Sequence, residues 1–171
     1  MAGRELDPRQ LGDHLDRLYR AAWALCGTRE DAEDLVQDTY ARVLSKPRIL
    51  RNDDDLGYLL RVLRNTHISR HRMTERRPRT EPFAEGADPV DHRPELRPDQ
   101  ALDAQDVFAA IAELQPDFRD ALIAIDVAGL SYREAGKLLG AKEATITSRL
   151  HRARKQVAGA LGQESAKEGV I

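Results

Sequence analysis

Apolar residues recur every three to four positions along three stretches of the N-terminal half, which is the spacing of amphipathic α-helices. The first stripe is Leu11, Leu15, Leu18, Ala22 and Leu25; the second is Ala32, Leu35, Val36, Tyr40 and Val43 or Leu44; the third is Leu56, Leu59, Leu60, Leu63 and His67. Gly27 is expected to end the first helix in the left-handed conformation, and Thr28 to cap the second. The third helix is predicted to run over residues 56–72.

The C-terminal half predicts two short helices, residues 101–114 and 116–128, followed by a helix-turn-helix. That motif is SYREAGKLLGAKEATITSRLHRARK, residues 131–155. Ser131 and Glu134 form a capping-box pair at its start, and Gly140 ends its first helix. The buried stripe of its second helix is Ile146, Leu150, Ala153 and Val157.

No sustained alternation of polar and apolar residues predicts a sheet, so we expect an all-α protein. Residues 77–100 carry five prolines and no amphipathic period, which is typical of a flexible linker. The sequence therefore predicts two small helical domains, residues 1–76 and 101–163, followed by a tail at 164–171. The C-terminal domain contains the helix-turn-helix.

Charge is segregated along the chain, although the formal net charge is only -2. Between Arg61 and Arg79 seven arginines accompany one acid, Glu75, and between Arg133 and Lys155 seven basic residues accompany two acids. Eleven acidic and three basic residues lie within residues 81–120. Net charge thus conceals two basic segments, each a candidate surface for DNA.

Composition limits the other possibilities. The 171 residues are 41% hydrophobic and 5% aromatic, as expected for a chain of small helical domains. No apolar run approaches the roughly 20 residues that span a bilayer, and the N-terminus lacks the apolar core of a secretory signal, so we expect a cytoplasmic protein without membrane contact. The single cysteine, Cys26, is expected to be a small buried thiol.

Two clusters raise the alternative of a hydrolase or metalloenzyme. Residues 53–55 are three consecutive aspartates, and His67 and His71 lie four positions apart. Adjacent carboxylates lack the alternating spacing of calcium loops, and the histidine pair lacks a third ligand or a general-base glutamate. We therefore favour DNA-binding or packing roles, and we expect no metal, no cofactor and no catalytic residue.

Three segments, in this order and spacing, resemble bacterial sigma factors of the extracytoplasmic-function (ECF) type, which belong to the sigma-70 family and consist of region 2, a linker and region 4. DAEDLVQDTYARVL, residues 31–44, resembles the part that binds the clamp helices of the largest RNA polymerase subunit. YLLRVLRNTHISRHR, residues 58–72, resembles the part that opens and reads the minus-10 element. ELQPDFRDALIAIDVAGLSYREAGKLLG, residues 113–140, with TSRLHRAR after it, resembles region 4, which reads the minus-35 element.

The resemblance implies three sets of binding residues. Core polymerase would bind Asp31, Asp34, Leu35, Gln37, Asp38 and Arg42, with Leu35 as an apolar anchor. The minus-10 DNA would bind Arg61, Arg64, Asn65, Arg70 and Arg72, with residues 51–55 as a pocket wall. The minus-35 DNA would bind Thr145, Thr147, Ser148, Arg149, Arg152 and Lys155. The partners implied are core RNA polymerase, through its clamp helices and flap region, promoter DNA and an anti-sigma factor; the protein would not be an enzyme.

Some positions depart from the family pattern. Tyr58 stands where tryptophan is frequent, Ser69 where aspartate is usual and Thr147 where arginine is common, while Ala141 offers no side-chain oxygen to cap the recognition helix. The alternative within DNA binding is a stand-alone helix-turn-helix repressor or activator whose N-terminal domain dimerises. A second alternative is an interaction adaptor that has lost DNA contact.

Overall fold

The computed structural model describes residues 4–45, 49–50, 54–76 and 98–168. Their regular secondary structure is helical except for two short strands, β1 (Arg4–Glu5) and β2 (Ile49–Leu50), which pair antiparallel. A 3-10 helix, Pro8–His14, precedes the first α-helix, and a π-helical segment, Ile123–Val127, follows the fifth. The α-helices are α1 (Leu15–Cys26), α2 (Arg29–Leu44), α3 (Asp55–Arg76), α4 (Pro98–Ala112), α5 (Pro116–Leu122), α6 (Tyr132–Leu139) and α7 (Glu143–Glu168).

The predicted all-α class is confirmed, but several predicted helix boundaries were wrong. The first stripe divides between the 3-10 helix and α1, and the helix expected at 116–128 divides into α5 and the π-helical segment. Helix α4 begins at Pro98, inside the predicted linker, because proline suits the first turn of a helix. Helix α7 continues to Glu168, through most of the predicted tail. The rest of the linker, residues 77–97, lies outside the described residues.

The helix ends obey the capping chemistry predicted for them. Gly27 follows α1 with φ 82°, and the Thr28 hydroxyl accepts the Asp31 N–H at the start of α2. At α6 the Ser131 hydroxyl accepts the Glu134 N–H while the Glu134 carboxylate accepts the Ser131 N–H. The Ser131 hydroxyl also donates to the Glu134 carboxylate, and this bond, together with the one from the Ser131 N–H, holds the pKa of Glu134 below its usual value. Gly140 then ends α6 with φ 64°.

The N-terminal core lies between α1, α2 and α3. The apolar side chains Leu18, Leu35, Leu59 and Leu63 are almost completely removed from solvent. Two threonines are also buried in this core, on α2 and α3, and each hydroxyl donates to the carbonyl four residues earlier in its own helix. Because their hydroxyls are satisfied within the helix, the threonines can be buried among leucines.

The C-terminal core holds the helix-turn-helix together. Ile146, Leu150 and Ala153 of α7 are buried, as their spacing predicted, and α7 packs mainly against α5, α4 and α6. The turn passes very close to α6 at Gly136, where a Cβ would lie 2.7 Å from the backbone oxygen of Ala141. Only glycine fits this approach without displacing the backbone.

The two halves pack against each other. Helix α1 contacts α4 and the π-helical segment, and α3 contacts α6. The ring centroids of Trp23 on α1 and Phe108 on α4 are 4.6 Å apart, and Gln105 donates to the Gly27 carbonyl at 2.8 Å. Arg64 on α3 donates from Nε to Oδ2 of Asp120 on α5, also across the junction, at 2.7 Å. The domains expected from the sequence are thus in direct contact.

Candidate nucleic-acid interface

Helix α7 presents one outward stripe. Ser148, Arg152 and Lys155, at i, i+4 and i+7, lie on the side opposite the buried Ile146 and Leu150, and all three are exposed. Neither Arg152 nor Lys155 forms an ion pair with any described residue. The stripe therefore offers two cations and a hydroxyl, the side chains that bind phosphates and guanine edges in the major groove.

The other residues predicted for the minus-35 site lie to either side of this stripe. Arg149 is drawn toward α5, where Nη2 donates to Oδ2 of Asp117 at 2.6 Å and its side chain is 26% exposed. Thr145 is half-buried, and the exposed Thr147 donates its hydroxyl to a backbone carbonyl of its own helix. Arg149 is thus engaged within the protein, whereas Arg152 is available.

A second set of cations surrounds the turn between α6 and α7. Arg133 and Lys137 on α6 and Lys142 in the turn line an open groove beside Gly136 and Gly140. All three are exposed. The sequence places these residues in the second basic segment, without assigning them to a site. The signal was the position of Arg133 and Lys137 on the helix that precedes the recognition helix, which in helix-turn-helix proteins crosses the DNA backbone.

Helix α3 divides the predicted minus-10 residues between two environments. Arg61, Asn65 and Arg72 are exposed and lie at i, i+4 and i+11, on a single stripe of the helix. Arg64 and Arg70 lie off this stripe and are each bound to an aspartate, Asp120 and Asp38 respectively. The structure therefore brings together three of the five residues as a free surface.

Helix α2 exposes the acidic face that the sequence predicted. Asp31, Asp34, Gln37 and Arg42 are exposed, and Asp38 is half-buried. The prediction that Leu35 is an apolar anchor on this face was wrong, because Leu35 is 0% exposed and packs in the N-terminal core. Leu44, at the end of α2, is the large apolar side chain that this helix does expose, at 54%.

A group of polar side chains meets where α1, α3 and α5 converge. Cys26 Sγ lies 3.9 Å from His67 Nδ1, and among the described side chains neither His67 Nε2 nor Arg119 Nε has a hydrogen-bond partner. Burial, with the charge of Arg119 and the neighbouring His71, lowers the pKa of His67 to about 4. Burial raises the pKa of Cys26 to about 11. At neutral pH His67 is therefore a neutral imidazole beside the protonated thiol of Cys26.

The metalloenzyme alternative gains no support from the described residues. They contain no group of three or more histidine, cysteine or acidic side chains placed to hold a metal ion. Asp54 Oδ1 accepts the Gly57 N–H at the start of α3, and Asp55 is buried. Residues 51–53, predicted to line a pocket for DNA, lie outside the described part.

This fold and these surfaces define a helical DNA-binding protein of the helix-turn-helix class. Two family models match it in order: sigma-70 region 2 over residues 11–77 and sigma-70 region 4 over residues 104–157. The ECF RNA polymerase sigma factor EcfG of Rhodopseudomonas palustris is 30% identical over 148 residues, covering 86% of this chain and 80% of EcfG. The chain therefore belongs to the ECF sigma factors of the sigma-70 family.

Other relatives agree with that assignment. The ECF sigma factor SigE of Mycolicibacterium smegmatis is 39% identical over 160 residues, which cover 90% of this chain and 61% of SigE. Among solved structures, the sigma factor RpoE in complex with the anti-sigma factor NepR, from Bartonella quintana, matches with a TM-score of 0.66 and 30% identity. That match covers 90% of this chain and 95% of RpoE. In the described part, no helix is long and apolar enough to span a membrane.

Proposed function

We propose that this protein is a promoter-specificity subunit, which binds core RNA polymerase, recognises minus-10 and minus-35 elements and initiates transcription in the cytoplasm. The observation that best supports the proposal is that one chain with regions 2 and 4 has separate free surfaces, each of suitable charge. The exposed face of α2 is acidic, whereas the exposed stripes of α3 and α7 are basic. Such a protein directs an enzyme and performs no catalysis itself.

Core polymerase would bind the exposed face of α2. Carboxylates on a helix face attract a basic partner and steer its approach. Asp31, Asp34, Gln37 and Arg42 present this face, and Asp38 borders it. Leu44 supplies the exposed apolar contact that Leu35 cannot. The polymerase clamp helices are the proposed partner here, and the flap region is proposed for the C-terminal domain.

Promoter DNA would bind two stripes in different ways. On α3, arginines at 61 and 72 hold phosphates of the opened strand, while the Asn65 amide pairs with a base edge. On α7, Arg152 reads the major groove of the duplex, Lys155 and Ser148 bind beside it, and Arg149 and the two threonines stand at the margins. Arg133, Lys137 and Lys142 hold the adjacent phosphates, which fix the position of the helix without reading sequence.

An anti-sigma factor is the third proposed partner. RpoE, which is 30% identical to this chain, is bound to one in its solved structure. A protein that blocks the α2 face or either basic stripe would prevent initiation. Nothing in the described residues favours a stand-alone repressor over a promoter-specificity subunit, whereas the α2 face gives polymerase a surface to bind.

Transcription in vitro with core polymerase tests the proposal. Specific initiation is expected for the natural chain, and its loss is expected for Asp34→Arg, at the polymerase face, and for Arg152→Ala, at the minus-35 stripe. The matched controls are Asp13→Arg and Arg20→Ala, which make equal charge changes at exposed positions outside both surfaces. Tight operator binding without polymerase, together with no initiation, would support the repressor instead.

A further inference from the structure

His151 lies on the outward stripe of α7, where none of the proposed contacts uses it. It is three residues after Ser148 and four residues before Lys155, spacings that place side chains on one face of a helix, and Arg152 is the next residue. All four side chains are exposed. The imidazole therefore stands among the two cations and the hydroxyl that are proposed to bind the minus-35 duplex, although the residues predicted for that site do not include it.

The other described histidines have different surroundings. His67 is half-buried, and its pKa of about 4 keeps it neutral near pH 7. His71 is exposed on α3, with Nδ1 3.8 Å from Oε1 of Glu75. His14 is half-buried at the end of the 3-10 helix. Among the described histidines, His151 is thus the one on the helix proposed to enter the duplex.

No acidic group pairs with the His151 ring, which forms no hydrogen bond or ion pair with any described residue. On the elements in contact with α7, four acids are bound to other groups: Asp117 to Arg149, Asp120 to Arg64, Asp126 to Arg154 and Glu134 to Ser131. The acids of these elements that form no ion pair with any described residue are Asp103, Asp106 and Glu113 on α4 and Glu143 on α7 itself. A charged imidazole thus has no counterion within the described part of the chain.

Cations on α7 and beside it attract the DNA backbone to this ring. Arg152 is adjacent and Lys155 is one turn further along. Arg133 and Lys137 of α6 are exposed, and Arg119 of α5 is half-buried. Phosphates bound by the exposed cations would bring negative charge close to the imidazole. Opposite charge favours the charged form of a titratable group, so the ring would hold a proton more readily in the DNA complex than in the free protein.

The two protonation states of histidine bind DNA differently. A neutral imidazole has one N–H donor and one acceptor nitrogen, whereas a charged imidazole donates through both nitrogens. Phosphate oxygens accept hydrogen bonds, and guanine presents two acceptors, N7 and O6, in the major groove. The charged form is therefore the one complementary to these groups through either nitrogen. Histidine is also the side chain whose charge ordinarily changes between pH 5 and 8.

We propose that DNA binding by α7 is proton-linked through His151. As the stripe meets the minus-35 duplex, the imidazole takes up a proton from solvent and donates to a hydrogen-bond acceptor of the DNA, either a phosphate oxygen or a guanine edge. Because the complex holds this proton more tightly than the free protein does, affinity for the duplex rises as pH falls. The inference rests on the proposed function and adds a regulation of the minus-35 contact by pH.

Two substitutions at His151 separate its charge from its hydrogen bonding. His151→Gln keeps a side chain that donates and accepts but cannot be charged, whereas His151→Lys is charged throughout the range. The matched control is His71→Gln, which removes an exposed histidine of α3 that belongs to none of the proposed binding surfaces. Both positions are exposed, so the variants are expected to fold, and circular dichroism verifies this.

The measurement is the fluorescence anisotropy of a labelled duplex, titrated with the full chain at pH 6.5 and pH 8 and at one salt concentration, because phosphate contacts depend on salt. The duplex carries the minus-35 region of a promoter that the holoenzyme transcribes. For the natural chain and His71→Gln, affinity is expected to be about fivefold higher at pH 6.5, since uptake of one proton allows at most about tenfold per pH unit. His151→Gln is expected to bind weakly and His151→Lys tightly, each with less than about twofold change between the two pH values.

A second duplex of scrambled sequence distinguishes the two kinds of acceptor. A contact to phosphate is independent of sequence, so the pH effect would then be equal on both duplexes. A contact to guanine would confine the effect to the promoter duplex. Calorimetry in two buffers of different ionisation enthalpy counts the protons taken up on binding, and this count should fall toward zero for His151→Gln.

The proposal is overturned if His151→Gln shows the same pH effect as the natural chain, or if the natural chain binds the promoter duplex equally at both pH values. Failure of the proposed function gives a different result, namely no preference for the promoter duplex over the scrambled one and no promoter-specific initiation with core polymerase. A chain that initiates from the promoter but binds its duplex independently of pH would therefore retain the proposed function and lose the proton linkage.

Discussion

Arg70 on α3 binds Asp38 on α2, with Nε and Nη2 at 2.9 and 2.5 Å from Oδ2 of the carboxylate. Nη2 also donates to the Asp34 carbonyl at 3.1 Å. A residue that the sequence predicts to bind DNA therefore holds α3 against α2, the helix proposed to bind polymerase. Because the carboxylate of Asp38 is already neutralised, it has less to offer a basic partner than Asp34, which forms no ion pair with any described residue.

That difference predicts unequal effects on polymerase binding. Asp34→Asn is expected to weaken core binding by about tenfold, a typical result of losing one charged hydrogen bond. Asp38→Asn is expected to weaken it by less than about threefold. Fluorescence anisotropy of the labelled chain with core enzyme measures both. An equal loss for the two variants would show that polymerase displaces Arg70 from Asp38.

On α7, Arg152→Ala is expected to reduce affinity for the cognate minus-35 duplex by about 1–3 kcal/mol and to relax discrimination at one base pair. The comparison is Arg154→Ala, two residues further on, because Arg154 binds Asp126 through both carboxylate oxygens and faces away from the stripe. Competition binding against single-base variants of the site measures discrimination. If Arg154→Ala relaxed it and Arg152→Ala did not, the proposed orientation of α7 would be wrong.

Around the turn, Lys137→Ala and Lys142→Ala are expected to weaken duplex binding by similar factors for cognate and unrelated sequences. Their side chains line the groove beside the turn and are placed for phosphates, which carry no sequence information. The ratio of cognate to non-cognate affinity should therefore stay constant. A change in that ratio would mean that one of these lysines contacts a base.

Gly136→Ala is expected to destabilise the C-terminal domain by about 1–3 kcal/mol, since the added methyl would meet the Ala141 backbone oxygen and force α6 from the turn. Gly159→Ala is the control. Nothing lies within 4 Å of a Cβ at Gly159, which is inside α7, so alanine there should stabilise the helix slightly. Thermal unfolding followed by circular dichroism distinguishes the two. A stable Gly136→Ala protein would show that the turn can relax.

Stability should depend on pH through His67. Its pKa is about 4 in the folded protein and 6.5 in the unfolded chain, so the unfolded chain takes up its proton first as pH falls. The stabilisation is complete above pH 6.5 and is lost as pH falls toward 4; for a partly exposed group it amounts to about 1–2 kcal/mol.

Urea unfolding at pH 7 and pH 4.5 measures this loss. His67→Gln cannot titrate and is expected to lose less stability between the two values. His151→Gln, at an exposed position on α7, should behave like the natural chain. Identical pH dependence for His67→Gln and the natural chain would exclude His67 as the titrating group.

Local chemistry made the helices and their caps predictable from the sequence. Gly27, Thr28, Ser131 and Gly140 act within a few residues of the ends they specify, and the apolar stripes follow from helical spacing. The tertiary environment of the charged residues was not predictable in this way. Arg149 and Arg152 look equivalent in sequence, but in the described part of the chain Arg149 pairs with an aspartate 32 residues away, whereas Arg152 forms no ion pair.

Leu35 illustrates the same limit. Its position beside acidic residues suggested a surface anchor, whereas its helical phase, together with α3 on the other side, placed it in the core. The contact between the two halves was unpredictable for a related reason. It depends on how Leu60, Leu63 and Arg64 meet side chains more than 50 residues away, and sequence periodicity describes only one helix at a time.

Among the described residues, four arginines of the two basic segments pair with aspartates: Arg70 with Asp38, Arg149 with Asp117, Arg64 with Asp120 and Arg154 with Asp126. The protein thus carries counterions of its own for part of its basic surface. When such an arginine binds a phosphate of the DNA, it leaves its aspartate. The freed aspartate attracts cations from solution, and this uptake offsets the cations that the duplex releases. The salt dependence of promoter binding should therefore be shallower than the number of arginines at the interface would imply.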